Sequence, residues 1–170
     1  MKPFRYCPLH GVELEQPDHE RGARCPVDGR KWYRNSAPTV GAVVVVDGKA
    51  LLTKRGIEPY KGKYDIPGGF LAAGEDPVEG LKREVNEELG IEIDVGVDDV
   101  RQMAVHRYGD KGDYTLALGF EARWLAGEPK PADDVDDIRM ADDDELDGID
   151  FAWEHDKELV RKVLRRWGGE

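Results

Sequence analysis

Glu84, Glu87 and Glu88 stand at i, i+3 and i+4, directly after Arg83, in the stretch GFLAAGEDPVEGLKREVNEELGI that runs from Gly69 to Ile91. On a helix this spacing turns three carboxylates to one face, where like charges cost roughly 0.2–0.5 kcal/mol per pair. Arg83 relieves part of that repulsion. A hard divalent cation would relieve more, because Mg2+ (or Mn2+ in its place) takes oxygen ligands and keeps positions for water and phosphate oxygens. Runs of charge are ordinarily solvated faces. Here the setting points further. A Pro67-Gly68-Gly69 turn precedes the helix, Gly74 comes just before it, and backbone at such glycines can approach a ligand closely. The chemistry these residues suit is metal-assisted attack on a phosphate anhydride.

The elements that must position them follow from local signals. Asp76 reads as an N-cap, Pro77 as the first helical residue, Glu79 as the acid of a capping box and Gly90 as the stop. Val78, Leu81, Val85 and Leu89 recur at helical spacing and give the helix one apolar face. Upstream, the β-branched run Thr39 to Val46 predicts a buried strand, Asp47-Gly48 a hairpin turn, and Ala50 to Arg55 the returning strand. Gly56 to Lys63 is a loop, after which Tyr64, Asp65 and Ile66 lead into the glycine turn. Downstream, Ile91 to Val95, Arg101 to Tyr108, Tyr114 to Trp124 and Val135 to Met140 predict further strands. A closing helix has Val160, Val163, Leu164 and Trp167 as its buried stripe, with Arg161, Lys162, Arg165 and Arg166 as surface cations.

Gly69, Glu75, Arg83, Glu84, Val85, Glu87, Glu88, Gly90 and Ile91 match every defined position of the Nudix box, G-x5-E-x7-R-E-U-x-E-E-x-G-U, with U a bulky aliphatic residue. A chance match to its fixed identities is on the order of one in a million at ordinary residue frequencies. From about Thr39 to Trp167 the chain resembles that family. The resemblance implies an α/β (α+β) Nudix fold, with a mixed β-sheet sandwiched between helices. It implies Mg2+- or Mn2+-dependent hydrolysis of the pyrophosphate bond of a nucleoside diphosphate linked to another moiety. By the same resemblance the metals fall to Glu84, Glu87, Glu88 and the Gly69 carbonyl, Glu75 binds or positions a metal more distantly, and Arg83 orients the carboxylates. The general base is Glu84 or an acid of a later loop. Asp134 and Asp137 are the nearest matches to the extra acid of that loop. Glu121 is a further candidate, with an ion pair to an arginine as its alternative. Lys54 and Arg55 end a strand where they could meet substrate phosphate or only solvent. Tyr108 lies 17 residues after Ile91, a spacing similar to that of diadenosine polyphosphate hydrolases.

Residues 1–36 form a separate expectation, with 37–170 as the hydrolase domain. Cys7-Pro8-Leu9-His10-Gly11 and Cys25-Pro26-Val27-Asp28-Gly29 repeat one C-P-x-x-G pattern. Cys7, His10, Cys25 and Asp28 are all residue types that zinc accepts in tetrahedral sites. The segment resembles the zinc ribbon that precedes some Nudix domains, in which four cysteines bind the metal. Three readings stay open: a mixed-ligand Zn2+ site, a ribbon that has lost its metal, and a Cys7–Cys25 disulfide.

The chain has 170 residues, two cysteines and a net charge of −11. The length suggests one main domain with a small appendage. Few cysteines, no apolar run of membrane length and no apolar segment within Met1 to Tyr6 lead to a cytoplasmic expectation, with no membrane partner. The acid excess argues against a nucleic-acid backbone as partner, although not against a small phosphorylated substrate held through metal. The family resemblance suggests a homodimer. Among substrates, the S-Q-P-W-P-F-P element of NADH pyrophosphatases is absent, and the layout, including FAWEHDKEL from Phe151 to Leu159, is similar to ADP-ribose pyrophosphatases. ADP-ribose or a related nucleotide sugar therefore comes first, with NADH or a dinucleoside polyphosphate as the alternative. A nucleotide-sensing Nudix domain without turnover is the non-enzymatic alternative. The full set of four glutamates argues against it.

Overall fold

A computed structural model of the chain describes residues 4–16 and 22–168. Contacts divide the chain into two compact units, Met1–Ser36 and Ala37–Glu170. Residues 17–21, between the two C-P-x-x-G pieces, and the first three residues of Met1 to Tyr6 lie outside the described residues.

The small unit carries the antiparallel pair β1 (Gly22–Arg24) and β2 (Lys31–Tyr33). Its core is Cys7, Leu14, Ala23 and Cys25, with Val12 and Trp32 packed against them.

The large unit runs β3 (Ala37–Val46), β4 (Lys49–Arg55), β5 (Tyr64–Asp65), β6 (Gly68–Phe70), α1 (Pro77–Leu89), β7 (Glu92–Asp94), β8 (Val100–Arg107), β9 (Tyr114–Ala126), β10 (Val135–Ala141) and α2 (Glu154–Gly168). The strands follow the order β10-β4-β3-β9-β7. The β3–β9 pair is parallel and the others are antiparallel, so the sheet is mixed. β3 explains its own composition. Val40, Ala42 and Val44 face α1 with Leu81, Val85, Leu89 and Phe120. Val43 and Val45 face α2 with Leu159, Val160, Val163 and Leu164. A strand covered on both faces needs a continuous apolar run rather than alternation.

β3 and β4 pair only near their hairpin, at Val45↔Ala50 and Val46↔Lys49. Farther along, β4 pairs with β5 and β3 with β6. The sheet therefore splays where the chain passes from Asp65 to Gly69, and the site lies at this opening.

α1 begins as its sequence predicts, with Asp76 Oδ1 accepting from the amides of Val78 at 2.9 Å and Glu79 at 3.2 Å, and it ends at Gly90 in the left-handed region. Two expectations need correction. Glu79 does not close a capping box; its carboxylate accepts from Lys82 Nζ at 2.9 Å instead. Trp167 is not part of the buried stripe of α2. It is 47% exposed and donates its Nε1–H to Glu121 Oε1 at 2.8 Å, while Leu159 completes the stripe one turn earlier. No helix among the described residues is long and apolar enough to cross a membrane.

The two faces of α2 give a contrast in stability. Leu164→Ala should cost about 2–5 kcal/mol, as buried leucines do. Trp167→Ala should cost about 1 kcal/mol or less, the worth of one surface hydrogen bond. Urea unfolding followed by circular dichroism measures both, and equal losses would mean that Trp167 is packed into the core.

Candidate active site

Arg83 fixes the acids of α1. Its Nε and Nη2 donate to the two oxygens of Glu75 at 2.7 and 3.0 Å. Its Nη1 reaches Glu84 Oε1 at 2.8 Å and Glu87 Oε2 at 2.9 Å. One guanidinium thus bridges three glutamates of the box. Glu75 has both oxygens engaged, since Ala72 N–H also donates to Oε2 at 2.8 Å. The Arg83 bonds hold its carboxyl down to about 2, helped by that amide. Glu75 thus anchors Arg83, and through it Glu84 and Glu87.

Glu84 and Glu88 line a cavity of about 270 Å³, and Glu87 stays outside it on the Arg83 side. Gly69 approaches Glu84 so closely that a Cβ there would lie 2.5 Å from Oε2. Only glycine leaves this carboxylate its place. Glu88 is buried, and the one hydrogen bond to its carboxylate among the described residues comes from Gly68 N–H at 2.9 Å. Burial pushes the Glu88 carboxyl well above its usual value against that bond, and the charges of Asp134, Asp65 and Glu84 push it the same way. Glu84 is also raised, first by burial. Desolvated oxygen donors crowded around one point fit a hard divalent cation, which would reverse the local field.

The opposite wall is aromatic and cationic. Arg55 donates through Nε to Pro59 O at 2.8 Å, through Nη1 to Asp65 Oδ2 at 3.2 Å and through Nη2 to Tyr108 OH at 3.1 Å. Its guanidinium carbon lies 4.8 Å from the centre of the Trp153 ring. A guanidinium has five N–H donors, so two remain for an anion in the cavity. Tyr108 stacks near Trp153 with centroids 5.5 Å apart and meets Phe70 edge-on at 5.1 Å. His106 and His155 lie 4.2 Å apart beside Trp153. Burial lowers both imidazoles, and His155, with His106 adding to it, falls to about 4. The formal charges on this wall are thus those of Arg55 and its ion-pair partner Asp65.

Of the residues singled out in the sequence, the fold brings Gly69, Glu84, Glu88, Asp134, Arg55 and Tyr108 to one cavity. Asp137 is exposed beyond the bulge of β10, and its Oδ1 accepts from Ile138 N–H at 2.9 Å. Lys54 is absent from the cavity lining. Glu121 lies away from the box: it pairs with Arg101 at 2.7 Å and Arg166 at 3.1 Å, which is the arginine partnership held open above. Asp65, Asp156, His106, Trp153 and His155 were not anticipated, although FAWEHDKEL stood out as a segment.

In the small unit the two C-P-x-x-G pieces form matching turns. Gly11 N–H donates to Cys7 O at 2.8 Å and Gly29 N–H to Cys25 O at 2.9 Å, with both glycines at positive φ. Both cysteines are free thiols, so the disulfide alternative does not describe this structure. His10 Nδ1 lies 3.5 Å from Cys7 Sγ and 3.4 Å from Cys25 Sγ. A tetrahedral zinc with Zn–S of about 2.3 Å and Zn–N of about 2.0 Å sets such ligand atoms about 3.5 Å apart. Asp28 stands at the position matching His10; its Oδ1 accepts from the Arg30 amide at 3.0 Å, and its carboxylate is also hydrogen-bonded to the Cys25 thiol. The cluster that could hold a metal is Cys7, His10 and Cys25. Burial would raise the Cys7 thiol, but backbone hydrogen bonds at His10 and Leu9 bring it down to about 7.

The model of the NUDIX domain family matches residues 35–163. The chain is 29% identical over 169 residues to the NAD-capped RNA hydrolase NudC of Pseudomonas aeruginosa, covering 97% of this chain and 57% of that protein. It is 30% identical over 140 residues to the ADP-ribose pyrophosphatase of Methanocaldococcus jannaschii, covering 81% of this chain and 78% of that protein. Among solved structures, the NUDIX hydrolase from Nitrosomonas europaea is similar with a TM-score of 0.75 at 25% identity, over 98% of this chain and 94% of that one. The chain thus spans little more than half the length of its NudC relative.

Gly69→Ala tests the close approach. The added methyl must displace Glu84, and a misplacement of about 1 Å can cost about 10²-fold in rate. That loss is expected in metal-dependent turnover of a protein that still unfolds cooperatively. Unchanged turnover would show that the Glu84 position is not needed. A second expectation concerns pH. Glu84 and Glu88 are raised, so a metal must displace protons from them, and Mg2+ or Mn2+ affinity should rise with pH through and above the ordinary carboxylate range. Calorimetry in buffers of different ionisation enthalpy would detect the released protons, and an affinity independent of pH would contradict it.

Proposed function

The chain belongs to the NUDIX family, and on that footing we propose that it hydrolyses the pyrophosphate bond of a nucleoside diphosphate linked to another moiety, with ADP-ribose or a related nucleotide sugar as substrate. One observation carries this reading: a single cavity holds the acids of α1 on one wall and Arg55 beneath the aromatic rings on the other. Such a cavity suits a molecule that is anionic in its middle and flat at one end.

Each wall has a part. Gly68 N–H and the Arg83 bridge hold Glu88 and Glu84 toward the cavity; with the Gly69 carbonyl, and with Glu87 turned in from its place beside Arg83, they would make an all-oxygen ligand set. Mg2+ or Mn2+ bound there supplies charge neutralisation and an acidified water. Arg55 offers its two free donors to the diphosphate. Trp153 and Tyr108 present ring faces to a base, an interaction worth about 1–3 kcal/mol per base. Asp134, whose negative charge disfavours ionisation of Glu88, is the acid from the later loop best placed to join this machinery.

ADP-ribose is favoured over dinucleotides because the relative named for ADP-ribose matches over most of both chains and the S-Q-P-W-P-F-P element is missing. The dinucleotide reading draws on the NudC relative, whose match includes the small unit. In the small unit we assign a zinc site to Cys7, His10 and Cys25, with Asp28 as the fourth ligand once it leaves Arg30. The zinc would be structural, because this unit has only four buried core residues among those described and a domain this small rarely stands on such a core.

The test is product analysis of the purified chain with ADP-ribose, NADH, diadenosine tetraphosphate and nucleoside triphosphates, with Mg2+ and with chelator. The expected result is AMP and ribose 5-phosphate from ADP-ribose, abolished by chelator and reduced roughly 10³-fold in kcat by Glu88→Gln, the scale of several kcal/mol of lost charge stabilisation. Near-normal turnover by that variant at saturating Mg2+ would sink the metal assignment, and tight binding of ADP-ribose without turnover would make this a sensor. For the small unit, elemental analysis should find one zinc per chain, lost in Cys25→Ser together with a lower melting temperature. A metal-free chain of full stability would refute the zinc site.

A further inference from the structure

Two carboxyl groups outside the box meet at the cavity. Asp65 ends β5, Asp156 lies in the first turn of α2, both line the cavity, and their side chains are hydrogen-bonded to each other. Ionised carboxylates have acceptors only, so a bond between two of them requires a proton on one. The partners decide which. Asp65 accepts from Arg55 Nη1 at 3.2 Å through Oδ2 and from Ile66 N–H at 2.8 Å through Oδ1, and both bonds favour its charged form against the burial that raises it. Asp156 is 7% exposed; His155 Nε2 lies 3.3 Å from its Oδ1, on an imidazole that burial keeps weakly basic, and the charge of Arg55 reaches Asp156 only as the weakest of the influences on it. Burial, then the charge of Asp65, pushes Asp156 well above the usual carboxylate value.

We propose that Asp156 is a neutral hydrogen-bond donor that locks Asp65 against Arg55, so that the carboxyl pair is the positioning device for the cation that meets the substrate. The assignment rests on the hydrolase reading for what Arg55 binds, and on the pair itself for everything else. Arg55 is fixed from three sides, and only the Asp65 side is ionic. If Asp156 were ionised, two anions would lie in contact, and a further negative charge would stand in a cavity that already holds Glu84, Glu88 and Asp134. The pair would part, Arg55 would lose its fixed partner, and an anionic substrate would be repelled. A protonated Asp156 avoids all three effects while still supplying a hydrogen bond.

The groups that face the pair are Arg55 from β4, Glu88 from α1, His106 and Tyr108 from β8, Asp134 from the turn before β10, and His155 beside it on α2. As pH rises through the raised value of Asp156, its proton is lost and the lock opens. Substrate affinity should then fall on the alkaline side while kcat changes little.

Asp156→Asn and Asp156→Ala separate this from other roles. An asparagine amide can donate to Asp65 and accept from His155 without a charge, so Asp156→Asn should keep KM and kcat within about threefold of the wild type. It should also remove the alkaline rise in KM. Asp156→Ala leaves Asp65 without its donor, and KM should rise about 10- to 100-fold, as for the loss of a hydrogen bond to a charged group, with kcat little changed. A carboxylate acting as general base would instead lose kcat equally in both variants. A purely structural residue would lower the melting temperature without moving KM. Either pattern overturns the proposal. Infrared difference spectra of wild type minus Asp156→Asn at neutral pH should contain the carbonyl stretch of a carboxylic acid. Its absence also overturns the proposal, and because this readout needs no substrate, it stays decisive if ADP-ribose is not turned over.

Discussion

Three carboxylates on successive turns of one helix cannot be brought together without a counterweight, and the large unit is arranged around that constraint. Arg83 supplies the fixed part, bridging Glu75, Glu84 and Glu87 with one guanidinium. Glu88 lies beyond its reach and depends on a single amide, that of Gly68. The chain from Asp65 to Gly69 must therefore run tight against α1, which is why the sheet splays between β3 and β4 and why Gly69 has no room for a side chain. The remaining imbalance falls on Glu88 and Glu84. Their carboxyls are raised first by burial and then by the neighbouring acids.

The acids of α1 were legible in the sequence because a helix converts spacing into direction. Gly69 was legible for a related reason: a turn of glycines before a capped helix has few explanations. A buried strand followed from the unbroken apolar run of β3, whereas the order of the strands did not. What the sequence could not deliver was convergence. Arg55, Tyr108 and Trp153 come from β4, the end of β8 and the approach to α2, and no local pattern says that they will share one wall. Asp156 is the sharpest case. In sequence it is one more acid in the first turn of a helix, where acids are ordinary, and only its contact with Asp65 gives it another character.

The misreadings and the choices left open have equally particular causes. Asp134 and Asp137 were indistinguishable in an acid-rich run, because the bulge in β10 that separates their directions leaves no trace in composition. Glu121 alternates correctly along β9, but the nearness of Arg101 and Arg166 depends on the register of β8 and on where α2 ends. Trp167 fits the spacing of the buried stripe, yet it falls in the last turn, past the edge of the core. In the small unit the repeated C-P-x-x-G turn predicted its own geometry well, since Gly11 and Gly29 take the same conformation. Yet His10 and Asp28, equivalent by repeat, diverge: His10 Nδ1 lies within 3.5 Å of both sulfurs, whereas Asp28 accepts from the Arg30 amide.

The parallel pairing of β3 with β9 has a consequence for how the chain is made. Ala37 meets Thr115 and Val44 meets Ala122, so one of the two long strands of the core waits for its neighbour while the segment between them is synthesised. Everything in the box, including α1 and its glutamates, leaves the ribosome before that neighbour exists. Contacts so distant in sequence must close a long loop before they return any stability, which slows folding. In the interval the apolar faces of β3 are partly uncovered and present the kind of surface that chaperones bind. The strand that makes the finished fold rigid is thus also its most vulnerable segment at birth.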